Sequence, residues 1–504
     1  MSPSSTTLVI PSIIPVAAAA VQAAAGLASL TLENSGSLDT FIAKYNSAGG
    51  LLWAARQVSA GSDNVNGIAV DSSGNVFIAG DYASDPHTLY NANGSTATTL
   101  ANSGGKDGFI AKYNSEGVVQ WAARQAGTLA DYAISTAVDS SGNVFVAGYF
   151  SSNPLTLYNV DGSAFATTLA NSGSEDGFIA KYNSAGVVQW AARQAGASSD
   201  IPRGAVVDSS GNVIIAGTYN ANPLTLYNAN GSTATTLTNS GGTDGFIAKY
   251  NSAGVVQWAV RQASTGSENV DDIAVDSSGN LFITGFYSAN PLTLYNSDGS
   301  AFATTLANSG TQESFIAKYN SAGFVQWAAR QVGAAIDNGN GIGVDSAGNV
   351  FVTGLYSTSP LTLYNVDGSA FATTLENSGG QDSFIAKYNS AGVVQWAARQ
   401  GGAVNERGNE IAVDSDGNAF IAGFYVSDPV TLYNANGSTA TTLTNSGGLD
   451  GFIAKYNSAG VVQWAARQAG ASSDLNIAIA VDLSGNVIVG GYYGSTSPVT
   501  LYSA

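Results

Sequence analysis

Residues 67–125 read GIAVDSSGNVFIAGDYASDPHTLYNANGSTATTLANSGGKDGFIAKYNSEGVVQWAARQ, and the chain writes this phrase, with small changes, seven times. The tryptophans mark the copies: Trp53, Trp121, Trp190, Trp258, Trp327, Trp396 and Trp464 stand 68 or 69 residues apart, and there are no others. A fixed period of this length is the mark of a repeat architecture, in which each unit buries its apolar faces only against its neighbours. Within the phrase, residues 68–70 and 76–80 flank the turn Asp71-Ser72-Ser73-Gly74-Asn75. Residues 109–113 and 118–125 flank Asn114-Ser115-Glu116-Gly117, so two hairpins give four strands. Such a blade needs roughly 40–45 residues. The surplus lies between strands two and three, where Thr88-Leu89-Tyr90 and residues 96–100 flank the tip Asn91-Ala92-Asn93-Gly94-Ser95, a further hairpin. The simplest path continues strands two and three past the blade, standing seven hairpins on one face of a ring.

The phrases DGFIAKYNSEGVVQWAARQ and IAVDSSGNVFIAG resemble the beta-propeller repeat family described as SBBP, and the second is also similar to the inner strands of NHL-type propeller blades. The resemblance implies an all-β, seven-bladed propeller with IAVD lining the channel and VVQWAARQ outermost. The Leu-Tyr-Asn hairpin departs from the usual short repeat. The termini fit closure into a ring. The chain stops at Pro498-Val499-Thr500-Leu501-Tyr502, half of a hairpin, and residues 30–36 match the other half. The last blade then takes its inner strands from the C-terminus and its outer strands from residues 41–57, which removes open edges. Residues 28–504 are read as one propeller, and residues 1–27 as a separate apolar extension.

With 17 basic and 35 acidic residues, a net charge of −18 repels phosphate backbones, so nucleic acid is an unfavourable partner. Cysteine is absent, which removes disulfides and thiol chemistry. Fourteen of the seventeen bases are the repeated lysine of FIAKY and arginine of WAARQ. Acids recur at the positions of Asp107, Asp131 and Asp139. Two readings of these acids stand: seven cation or glycan sites, or Asx turns and Lys/Arg ion pairs between blades. No cofactor is expected, with calcium at Asp414, Asp416 and Asn418 as the alternative, since that turn is richest in oxygen but lacks a distal bidentate glutamate.

The seven tryptophans alternate with alanines, a pattern suited to packing between blades. Tyr90, Tyr158, Tyr227, Tyr295, Tyr364, Tyr433 and Tyr502 sit on the hairpins and are expected to contact partners. His87 is the one histidine, and no acidic pair is distinguished from its equivalents, so the chain is expected not to be an enzyme.

Residues 8–25 are apolar, broken by Pro11 and Pro15, and no Lys or Arg precedes Lys44. A secretory signal or a spanning helix is therefore disfavoured. Leu8, Val9, Ile10, Ile13, Ile14 and Val16 are expected to form an arm linking subunits. The functional expectation is a non-enzymatic, self-assembling structural protein: a propeller subunit of an extracellular filament, surface layer or virion, partnered by itself. The alternative is a secreted, multivalent, lectin-like propeller that binds glycans.

Overall fold

The computed structural model describes residues 7–10, 27–494 and 498–504. It is an all-β, seven-bladed propeller. Blade one comprises Asn64–Val70, Val76–Tyr82, Asp107–Tyr113 and Val119–Ala126 from axis to rim, each antiparallel to the next. The chain reverses between the first two strands because Asp71 accepts the backbone N–H groups of Ser73 and Asn75, both at 2.9 Å, while Gly74 takes the positive φ (76°) that the turn requires. The seven inner strands, Asn64–Val70, Asp131–Val138, Asp200–Val207, Glu268–Val275, Asp337–Val344, Glu406–Val413 and Asp474–Val481, pack side by side around the axis.

Closure follows the expected pattern. Blade seven takes Asp474–Val481 and Val487–Tyr493 from the C-terminal end, and Asp39–Tyr45 and Leu51–Val58 from the N-terminal end. Ser29–Leu32 pairs with Val499–Tyr502, so the two chain ends meet a second time at the rim of blade six.

The path of the extra hairpin differs from the sequence expectation. It does not continue strands two and three upward. After the second strand of blade one, His87–Tyr90 crosses to the rim of blade seven and pairs with Gln57 and Val58, and Thr96–Leu100 pairs outside it. Every blade receives a fifth strand from its successor in this way, so the hairpin protrudes radially. The physical reason is the fourth strand, whose outer edge would otherwise present unpaired N–H and C=O groups. The tip then returns to its own blade, with Ala92 N donating to Gly117 O at 2.9 Å and Val119 N to Asn91 Oδ1 at 2.9 Å. The 69-residue copies insert Phe165, Phe302 or Phe371, and their hairpins keep only two-residue fifth strands such as Thr156–Leu157.

Two bonds recur at every blade interface. The buried amide of Gln125 donates to Tyr182 Oη of the next blade at 2.8 Å, and Trp121 Nε1 donates to Ser184 O at 3.1 Å. Gln468 to Tyr45 Oη (3.0 Å) and Trp464 to Ser47 O (3.1 Å) repeat them across the closing interface. Each tryptophan ring lies against a turn glycine with positive φ: a Cβ on Gly117 would come within 2.9 Å of Trp53. If closure is equivalent to the internal interfaces, Gln468→Ala and Gln194→Ala should destabilise alike, by about 1–3 kcal/mol each, because both strand a buried hydroxyl. Urea unfolding of the two variants checks this, and a much smaller cost at Gln468 would mean that the ring is held open there.

Candidate functional site at the mouth of the axial channel

Most repeated polar groups are committed to architecture. Asp139 and its counterparts hold their turns and, in several blades, ion-pair with the lysine of the same blade: Lys44 to Asp482 and Lys249 to Asp208 at 2.9 Å. The arginines likewise reach the acid of their own blade, as in Arg399 to Asp382 at 3.0 Å. The expected pairing between blades is thus replaced by pairing within them, since cross-strand neighbours lie closer than the next sheet. Asp414 accepts the N–H groups of Asp416 and Asn418 and the Asn418 amide, as its counterparts do, and Asp416 is exposed. Among the described residues no three His, Cys, Asp or Glu converge as metal ligands.

Five tryptophans are 7–8% exposed, while Trp258 and Trp464 are half-buried. The tyrosines expected to face partners lie half-buried beneath the arginine of the blade they dock on: Arg124 is 4.1 Å from the Tyr158 ring centre and Arg467 is 4.5 Å from that of Tyr502. They clamp the hairpin to the rim. Thr7–Ile10, carrying Leu8, Val9 and Ile10, runs parallel to Ser29–Leu32 of the same chain. Ile13, Ile14 and Val16 lie outside the described residues.

A second acid set sits fully buried at the start of the inner strands. Asp131 accepts the Ser152 hydroxyl at 2.8 Å, and Asp200 accepts the Ala221 N–H at 3.3 Å. Burial pushes Asp131 up to about 7 and Asp200 to about 8. Burial likewise raises Asp337, Asp474, Glu268 and Glu406 to about 7, and Asp39, Asp107, Asp176, Asp244 and Asp450 to about 6.

The symmetry breaks at the axis. Each inner strand carries a bulge, and the extra residues are Asn66, Ile134, Arg203, Asp271, Asn340, Asn409 and Ile477. A bulge takes its residue out of the ladder and re-aims the side chain. Three asparagines lace the strands together: Asn66, Asn340 and Asn409 donate to Ala133 O, Gly408 O and Asn476 O at 3.0, 2.8 and 2.7 Å. Arg203 Nε stands 3.6 Å from Asp271, and Arg407 Nη2 donates to Asn340 Oδ1 at 3.2 Å. Lys106 meets Asp81 at 2.6 Å and lies over the Tyr132 ring, which stacks on Tyr149 at 4.6 Å between centres. Lys106, Arg203 and Arg407 are the three bases outside the repeated fourteen, and all three come to this mouth.

Below them, Asp272 of blade four accepts the Ile342 N–H of blade five at 2.7 Å and lies beside Glu410 of blade six. Burial raises both carboxyls; the neighbouring Asp272 charge raises Glu410 further and the Asp271 charge raises Asp272 further, which favours a protonated form of the pair. This pair is the distinguished acidic pair that the sequence reading did not find. The signal was present: Asp272 and Glu410 stand where the other copies carry Gly, Ser or Ala.

The family model described as SBBP, beta-propeller repeat, matches residues 52–81 and 326–359. Each match runs from the fourth strand of one blade through the second strand of the next, so the chain carries SBBP repeats offset from its blades. An uncharacterized WD repeat-containing protein, L264, of Acanthamoeba polyphaga mimivirus is 26% identical over 90% of this chain and 37% of its own length. The regulatory protein FlaEY of Caulobacter vibrioides is 33% identical over 22% of this chain and 12% of its own length. The chain therefore spans well under half of these relatives. Among solved structures, the Neurospora crassa Pan2 WD40 domain is 10% identical with a TM-score of 0.34, covering 88% of this chain and 92% of that one.

The buried acids set a pH dependence. Their folded pKa values lie above the unfolded values of roughly 4, so their stabilising contribution is complete below that pH and is lost as pH rises through about 6 to 8. Thermal unfolding should therefore occur at a higher temperature at pH 5 than at pH 8.5. Asp200→Asn, which mimics the protonated acid, should flatten that slope. Calorimetry across this range checks the sign, and unchanged or rising stability toward pH 8.5 would contradict it.

Proposed function

We propose that this protein is a non-catalytic interaction propeller that engages a protein partner at the mouth of its axial channel. One observation carries the reading: Lys106, Arg203 and Arg407, the bases outside the sevenfold pattern, gather at that mouth in a chain whose net charge is −18. With Tyr132, Tyr149 and the bulge asparagines they form the Arg- and Tyr-rich mixture typical of interface hot spots. Arg407, which makes no ion pair among the described residues and leaves its Nε without a hydrogen-bond partner, favours an acidic side chain, and the stacked tyrosines favour an apolar or aromatic residue beside it. The Asp272–Glu410 pair is assigned a structural role, joining blades four, five and six by a shared proton. Peptide-library selection should enrich segments that combine acidic and aromatic residues, and Arg407→Ala with Tyr132→Ala should cut their affinity by at least about tenfold. Selected peptides that bind the double variant as well as the wild type would refute the site.

Self-assembly is a second reading, supported by Thr7–Ile10. That strand is the outermost of the seven-stranded sheet at blade six, and an edge strand is a template for pairing with another copy. An extracellular filament, surface layer or virion would follow from it. Removing residues 1–27 should then shrink the particle seen by light scattering. An unchanged size would exclude the arm as a linker.

A further inference from the structure

The tryptophan at each blade interface is supported by its own blade, and this support changes in blade three. In five blades a second-strand phenylalanine packs on the tryptophan, as Phe77 on Trp121 at 6.3 Å and Phe351 on Trp396 at 6.1 Å between centres. The same phenylalanine carries the third-strand lysine, with Lys112 at 5.1 Å and Lys387 at 4.9 Å from the ring centres. Blade three has Ile214 there, and the branched side chain offers no π face. Lys249 instead closes to 2.9 Å from Asp208, while donating to Ser321 O at 3.3 Å as Lys387 does to Ser458 O. Blade seven makes the same exchange, with Ile488 and a Lys44–Asp482 pair at 2.9 Å, but Ala92 of the hairpin packs near Trp53, which is 7% exposed.

Over Trp258 the hairpin tip contributes a polar residue. Where other copies place Ala92, Val160, Ala229, Val366 or Ala435, this one has Ser297, its hydroxyl donating to Ala322 O at 2.7 Å. Trp258 is half-buried, and an open pocket of about 470 Å³ lies between blades three and four, lined by Asn212, Lys249, Gln257, Trp258, Ser297 and Ser321. Its size falls within the roughly 300–1,000 Å³ of small-molecule sites.

We infer that this pocket binds one neutral hexopyranose unit of a glycan, stacked on Trp258. An indole beside amides and hydroxyls suits a pyranose, whose C–H face is apolar and whose rim carries hydroxyls. Gln257 spends its Nε2 on Val255 O at 3.0 Å, which leaves its carbonyl oxygen to accept from a sugar hydroxyl. Asp208 neutralises Lys249, so an anionic ligand gains little charge pairing and a neutral one is favoured. The pocket is built from the turn between the first two strands, the fourth strand and the hairpin tip, at the opposite end of the strands from the channel mouth. The inference therefore does not rest on the proposed partner site.

The test titrates the full chain with a panel of neutral methyl hexopyranosides, read by saturation-transfer NMR and calorimetry. Ile214→Phe with Ser297→Val gives blade three the residues its sister blades already carry, so the fold should be kept, as its melting temperature will report. Binding of at least one glycoside by the wild type, weakened at least about tenfold in this double variant, is the expected result. Gln257→Ala, at an exposed position, should weaken it severalfold and decides the matter if the double variant folds poorly. Absence of binding by every glycoside, or full binding by Gln257→Ala and the double variant, overturns the inference. Binding lost in Arg407→Ala would place the sugar at the channel mouth and overturn it equally, whereas peptide binding and glycoside binding lost by separate variants would keep the two sites distinct.

Discussion

The structure depends on one repeated contact, the insertion of a tryptophan and a glutamine from one blade into the next. Neither sheet face can stay wet, because both carry rows of Phe, Ile, Val and Ala that are wholly buried. The glutamine amide satisfies a tyrosine hydroxyl that would otherwise be stranded in this apolar interface, and the indole N–H satisfies a turn carbonyl. Because each bond joins neighbours, the ring closes only if the N-terminal strands take part, and Gln468–Tyr45 with Trp464–Ser47 joins blade six to the N-terminal half of blade seven.

Closure around an axis leaves the outer edge of every fourth strand exposed. The surplus hairpin answers that need by docking on the preceding blade, and the Arg–Tyr stack fixes it there. Each hairpin therefore holds two blades at once. This explains why its tyrosine recurs in all copies, and why the chain ends could meet at the rim of blade six by contributing one hairpin strand each.

Sevenfold repetition also separates shared architecture from single-copy chemistry. Residues that build every blade must recur, so chemistry that occurs once stands outside the repeated scaffold. Lys106, Arg203, Arg407, Asp272 and Glu410 belong to this group; the last four meet at the axis, where bulged strands bring side chains of several blades together, while Lys106 reaches Asp81 and the Tyr132 ring. The buried Asp and Glu at the start of the inner strands form the opposite class: repeated and, apart from Asp63 beside His87, without a basic partner, and Asp131 and Asp200 among them are sensitive to pH because burial disfavours their charged forms.

The tryptophan period, the turn chemistry of Asp71-Ser72-Ser73-Gly74-Asn75 and the matching chain ends determined the blade count, the four core strands and the closure, since these are local patterns repeated at a fixed interval. Tertiary structure decided what depends on neighbours: where the hairpin goes, which acids lose their water, and which of the sparse residues converge. Sequence spacing orders residues along the chain, whereas Arg203, Asp271 and Arg407 come together only because the ring curves their three blades around a common axis.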